Sequence, residues 1–203
     1  MKPVMRLAAP VALALILLAA ACGGGSGGGT PGPGGGGPNL LENPSAEQNV
    51  DGYIGHNGAV VSQDTTTAGE GKASVKVEIP DAQGAGVQVW KADGATMTPV
   101  SEGQPYQLSL DVKGDLGKSV RLEILWHTGD GAFLETSLGP IFFLPLGGFT
   151  RTEFSAIAPD GAGLAVPQFV TDAAPGEPVT VWVDDVRFVQ ASGSGTAAPS
   201  PSP

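Results

Sequence analysis

The sequence predicts an all-β domain over residues 39–190, a two-sheet β-sandwich of the jelly-roll kind. Three observations carry this. Apolar and polar residues alternate with period two in segment after segment, the pattern of a strand with one face on a core. Turn dipeptides separate the segments: Asp51-Gly52, Asp93-Gly94, Glu102-Gly103, Asp130-Gly131, Asp160-Gly161 and Pro175-Gly176. No stretch sustains helical periodicity. About ten short strands in a domain of about 150 residues favour two packed sheets.

In chain order, the first strand candidate is Ala59–Gln63. In the next, Ala73, Val75, Val77 and Ile79 alternate with Ser74, Lys76 and Glu78. Gly86–Lys91 follows, with Val87 and Val89 on one face and Gln88 and Trp90 on the other. Tyr106, Leu108, Leu110 and Val112 alternate with Gln107, Ser109, Asp111 and Lys113. Val120, Leu122, Ile124 and Trp126 alternate with Arg121, Glu123, Leu125 and His127. Asp130-Gly131 then forms a hairpin turn into Phe133–Ser137. Ile141-Phe142-Phe143-Leu144-Pro145 reads as buried loop packing or, if exposed, as an apolar contact patch. Phe149–Ala156, Leu164–Thr171 and Val179–Val189 complete the set, with Trp126 and Trp182 assigned to the core.

The ends of the chain are of different composition. Residues 1–21 read as an export signal: Lys2 and Arg6, then an apolar run from Val11 to Ala21, too short to span a bilayer. Ala19-Ala20-Ala21 leads into Cys22, the one cysteine of the chain, which excludes an internal disulfide. This junction resembles the lipobox of bacterial lipoproteins, whose cysteine is lipidated and becomes the mature N-terminus. The resemblance implies a membrane anchor at Cys22 and a place in the cell envelope, facing the periplasm or the exterior. Several acyl chains on one residue give stable anchoring.

Residues 23–38 hold 11 Gly and 3 Pro. With Cys22 they form a tether, since glycine buries nothing and loses the most entropy on ordering. Its reach is about 20–25 Å. Residues 191–203 (ASGSGTAAPSPSP) form a low-complexity tail expected to be disordered. The chain's net charge is −10, and −12 once the signal is removed. That balance argues against nucleic-acid binding, which needs a basic face.

The domain opens on Asn39-Leu40-Leu41-Glu42-Asn43-Pro44-Ser45-Ala46-Glu47 and closes on Val181-Trp182-Val183-Asp184-Asp185-Val186. Gly103-Gln104-Pro105-Tyr106-Gln107-Leu108-Ser109 lies between. This order resembles the CenC-like carbohydrate-binding modules, relatives of the galactose-binding-like jelly rolls. The likeness covers nearly all of 39–190 and implies a non-catalytic module that binds a poly- or oligosaccharide. The chain departs from the pattern at Ala46, where an aromatic is usual, at Tyr53, where Trp is common, and at Gly84-Ala85-Gly86, where some members carry an exposed Trp.

The last strand contains a conflict. Period two puts Trp182, Asp184, Val186 and Phe188 on one face, so an inward aromatic face turns Asp184 inward as well. A buried charge requires a cation or several donors. The resemblance implies a structural calcium ion between Glu47 and Asp184, with a backbone carbonyl near Lys72. Calcium takes 6–8 oxygen ligands in irregular geometry. The alternative is that Asp184 accepts backbone N–H groups and Glu47 is solvated.

A sugar site needs an apolar platform and polar groups for hydroxyls. Trp90 beside Gln88 is the leading platform. Tyr53, in or next to a loop, with His127 and Asp111, completes the candidate set. No paired carboxylates, metal-spaced histidines or nucleophile elbow mark an enzyme. Two other readings stay open: an envelope protein that binds a protein partner without sugar, and a hydrolase or lyase accessory. A monomer is expected.

Overall fold

The computed structural model describes residues 36–80, 83–115, 117–144, 147–172 and 177–192. The export signal, Cys22 and the tether before Gly36 lie outside these residues, as does the tail from 193. Eleven strands are described: β1 (Tyr53–His56), β2 (Val60–Asp64), β3 (Ser74–Ile79), β4 (Gln83–Val89), β5 (Thr98–Pro99), β6 (Pro105–Gly114), β7 (Ser119–His127), β8 (Phe133–Phe143), β9 (Thr150–Ile157), β10 (Leu164–Asp172) and β11 (Val179–Gln190). They form two antiparallel sheets. The first has the order β1-β4-β10-β7-β8, with β5 added to β10; the second is β2-β3-β11-β6-β9. This is the predicted jelly-roll sandwich.

The alternating residues meet between the sheets. Val75, Val77, Leu108, Leu110, Val112, Val181 and Val183 come from the second sheet, and Val87, Val89, Val120, Leu122, Ile124, Trp126 and Phe169 from the first. Trp126 is fully buried, and its indole N–H donates to Ser137 Oγ at 2.8 Å. Tyr106 stacks on Phe188 with ring centroids 5.4 Å apart and tilts against Trp126 at 5.9 Å, so one aromatic joins the two sheets.

The opening phrase has a structural task. Asn39 donates from Nδ2 to the Val186 carbonyl at 3.0 Å, and its Oδ1 accepts from the amides of Leu41 and Phe188. Leu40 N–H donates to the Phe188 carbonyl at 2.8 Å. One side chain with both donor and acceptor thus holds the first segment along the last strand. The pairing begins earlier than the expected domain edge, with a bridge between Gly36 and Ala191.

Four expectations are corrected. The last strand does not keep one period. Its pairing with β6 shifts between Asp184 and Arg187, and Asp185 lies in the left-handed region with φ 42°. This bulge moves the inward face by one residue, so Val181 and Val183 point inward before it and Val186 and Phe188 after it. Trp182 is therefore on the outer face, not in the core, and donates its indole N–H to Asp64 Oδ2 at 2.8 Å, with Lys113 over its ring. The run from Ile141 is not buried loop packing. It is the end of β8, where Phe142 packs on the core and Phe143 is 70% exposed. Tyr53 stands next to a loop, as expected, but as the first residue of β1 it faces the core and not a ligand.

Candidate functional site

The outer face of the first sheet gathers the polar groups of interest. Strand register places Ile54, Gln88, Gln168, Glu123 and Leu138 in one row across β1, β4, β10, β7 and β8. Trp90, just past β4, stands two residues along from Gln88 on the same face. Val87 and Val89 point into the core, so Gln88 and Trp90 must point out.

The row is continuously hydrogen-bonded. Trp90 Nε1 donates to Gln88 Oε1 at 3.1 Å, and Gln88 Nε2 donates to Gln168 Oε1 at 3.2 Å. Gln168 Nε2 donates to Glu123 Oε2 at 2.5 Å. Arg121 closes the row with Nε and Nη2 on Glu123 Oε1, at 2.8 and 2.7 Å. Gln168 and Glu123 are buried, at 7% and 5% exposure, although they lie on the outer face. His56 on β1 belongs to the same surface, and its Nε2 is buried without a partner. Burial holds the His56 ring below its ordinary pKa of 6.5, against an opposing pull from Glu123.

Exposed apolar residues border this row on β8: Phe133 at 58%, Leu138 at 57%, Ile141 and Phe143. His127 shares the face at the far end of β7. Its Nδ1 lies 3.2 Å from the Gly131 carbonyl, and its ring meets Phe133 edge-on at 5.7 Å.

Of the predicted ligand residues, the structure brings Trp90, Gln88 and His127 onto one face. It removes two. Tyr53 is buried and its hydroxyl donates to the carbonyls of Asn43 and Pro44 at 2.9 and 3.0 Å. Burial, followed by the charges of Asp184 and Asp185, raises its pKa. Asp111 lies on β6 in the other sheet and pairs with Arg151 at 3.3 Å. Sequence reasoning missed Gln168. Its signal was a single amide within the apolar run from Leu164 to Val170.

Glu47 and Asp184 converge on the segment 69–73. Asp184 is fully buried at the bulge. Its Oδ2 accepts from the amides of Gly69 and Glu70 at 2.9 Å each, and its Oδ1 from Asp185 N–H at 2.8 Å. Both oxygens of Glu47 accept from Lys72 N–H at 3.1 Å, so Lys72 presents its amide there. Desolvation raises the Asp184 pKa, the three N–H donors oppose this, and the charge of Glu47 adds to it. Among the described residues no lysine or arginine pairs with either carboxylate. Among the described residues no three His, Cys, Asp or Glu side chains cluster as a metal site. Both carboxylates are held by backbone N–H groups, and Lys72 presents an N–H where the resemblance implied a carbonyl; their oxygens are of the hard type that calcium takes.

No family model and no curated protein matches the chain. Solved structures do. The xylan-binding CBM22-1 domain of Paenibacillus barcinonensis Xyn10C matches with a TM-score of 0.60 at 14% identity, over 78% of this chain and 98% of that one. The CBM22-1–GH10 modules of Clostridium thermocellum Xyn10B, complexed with xylohexaose, match at 0.59 and 18% identity. That match covers 76% of this chain and 29% of the xylanase chain. A family 16 carbohydrate-binding module matches at 0.53 and 17% identity, over 75% of this chain and 100% of that one. The fold is that of the carbohydrate-binding jelly rolls.

Proposed function

We propose that this domain is a non-catalytic carbohydrate-binding module of the CenC-like kind, monomeric and held at the cell envelope by a lipidated Cys22 through the Gly-rich tether. The observation that carries the reading is the row from Trp90 to Glu123. It supplies an aromatic ring, hydrogen-bonding amides and a charged pair on the outer face of one sheet, the combination that saccharide recognition requires. Neighbours of this fold include xylan-binding modules, so a β-linked polysaccharide such as xylan is the first ligand to test. The full-length protein should be retained on a glycan array or in xylan affinity gels, and Trp90→Ala should abolish retention. A wild type that no glycan retains would remove the reading.

Two further parts belong to it. A calcium ion held by Glu47 and Asp184 would neutralise the charge buried at the bulge and fasten the first segment to the last strand. It should raise the melting temperature of the wild type and have little effect on Asp184→Ala. The lipid anchor requires that a labelled fatty acid be incorporated in cells and lost in Cys22→Ser. The second reading, an envelope protein that binds a protein partner, is favoured by the apolar border of β8, since a contiguous exposed patch of this kind often marks a contact surface.

A further inference from the structure

The row on the outer face has a direction, and its two ends fix that direction. An indole N–H can only donate, and a carboxylate can only accept. Trp90 donates at one end and Glu123 accepts at the other. Each glutamine amide between them therefore has one orientation that satisfies both neighbours. If Gln168 is turned over, its oxygen faces the Glu123 carboxylate and its NH2 faces the NH2 of Gln88. If Gln88 is turned over, an NH2 faces the Trp90 N–H.

We propose that Glu123 is a positioning residue for this face. Its carboxylate sets the orientation of Gln168, and through it of Gln88, and so holds the indole of Trp90 from two strands away. Arg121 holds Glu123 in place from its own strand at 2.7 Å. Each glutamine amide keeps one hydrogen and one lone pair, so the chemical preference of the face comes from its Arg121 end. Arg121 has guanidinium hydrogens beyond its bonds to Glu123, on a side chain 29% exposed. That end offers donors, and the ligand chemistry it suits is an acceptor oxygen: a ring or glycosidic oxygen, an acyl carbonyl or a carboxylate on a saccharide. This ligand preference rests on the reading of the face as a glycan site, whereas the positioning of Trp90 does not.

The three tryptophans make the test internally controlled. Each indole N–H has its own acceptor: Gln88 for Trp90, Ser137 for Trp126 and Asp64 for Trp182. Indole N–H exchange with solvent is measured by NMR on the full-length protein labelled with 15N-tryptophan, with signals assigned by Trp90→Phe and Trp182→Phe. No ligand is added. Glu123→Met and Gln168→Met remove the acceptor and the relay at nearly constant volume. Each should speed exchange at Trp90 by about fivefold to tenfold, the worth of one hydrogen bond, and leave Trp126 and Trp182 unchanged. Glu123→Gln keeps an acceptor for Gln168 and should retain most of the protection.

Unchanged exchange at Trp90 in both Met variants overturns the proposal. So does an equal rise at all three indoles, which would report general loosening. If Glu123→Met fails to fold, Gln168→Met decides alone. Titration of the wild type with xylohexaose is a separate arm. Loss of relay control with no xylohexaose binding leaves Glu123 as the positioning residue and removes the xylan reading.

Discussion

Replacing Asp184 by Ala should be among the most damaging single changes in the domain. The carboxylate accepts three backbone N–H groups, from Gly69, Glu70 and Asp185, within 2.8–2.9 Å, and has no exposed surface. Hydrogen bonds to a charged acceptor are each worth about 1.5–3 kcal/mol net, and Ala would leave three donors without partners. The desolvation that raises the Asp184 pKa offsets part of this, so the loss should be about 3–5 kcal/mol. For a domain of this size each kcal/mol lowers the melting temperature by about 2–4 °C, which gives a fall of about 6–20 °C. Urea denaturation of the full-length protein in chelator, followed by tryptophan fluorescence, measures it without any metal contribution. Asp184→Asn keeps an acceptor for two of the donors and should lose only about 1–2 kcal/mol. With calcium at about a hundred times its Kd, the wild type should gain about 2.7 kcal/mol and the Ala variant almost nothing. An Ala variant within 1 kcal/mol of the wild type in chelator would refute the argument that these three bonds hold the loop to the last strand.

Gly86→Ala should prevent accumulation of folded protein. A Cβ there would stand 2.1 Å from the Phe169 carbonyl oxygen, and backbone cannot swing aside, so soluble yield and far-UV circular dichroism report the outcome. His56 gives a pH dependence. Its folded pKa lies below the unfolded value of 6.5, so the folded state disfavours protonation; stability should be full above pH 6.5 and decline as pH falls below it. Urea midpoints between pH 7 and pH 5 should show this slope, and His56→Asn should flatten it. Phe143→Ser should leave stability within about 0.5 kcal/mol, because the ring is 70% exposed, as urea midpoints at pH 7 would show.

The period-two pattern made the sandwich legible because both inner faces are apolar and both outer faces mixed, so each long strand shows which residues point inward. It succeeded in full for β6 and β7, whose alternation runs without interruption on the core side. It failed wherever one residue is inserted. The bulge at Asp185 shifts the face of β11 midway, and no composition signal marks a left-handed aspartate. Trp182 was misplaced for that reason alone, while Val186 and Phe188, beyond the bulge, were placed correctly. The pairing of β8 with β7 shifts twice, which hid the continuation of that strand through Gly139 and Pro140. At the candidate site, Gln88 and Trp90 were legible because two valines declare the inward side. Asp111 was not, because alternation tells the face of a strand and never the sheet to which it belongs. Gln168 and its contact with Glu123 depend on register between strands distant in sequence, which no local pattern encodes.

Two carboxylates, Asp184 and Glu123, divide the work of the sandwich between its sheets. Asp184 lies at a bulge of the second sheet and is satisfied by backbone from a loop, so its removal disturbs closure of the fold. Glu123 lies on the outer face of the first sheet and is satisfied by side chains, namely Arg121 and Gln168. Side chains can reorient where a loop backbone cannot, so removal of Glu123 should change the face more than the fold. The core between them is close-packed apolar side chains, through which a change of hydrogen-bond direction has no partner to act on. The effects of Asp184→Ala and Glu123→Met on unfolding free energy should therefore add to within about 0.5 kcal/mol in the double variant, as for independent sites. The change in Trp90 exchange should follow Glu123 alone. Coupling well above that limit would mean that the closure loop and the ligand face are one cooperative unit, and the division between sheets would fail.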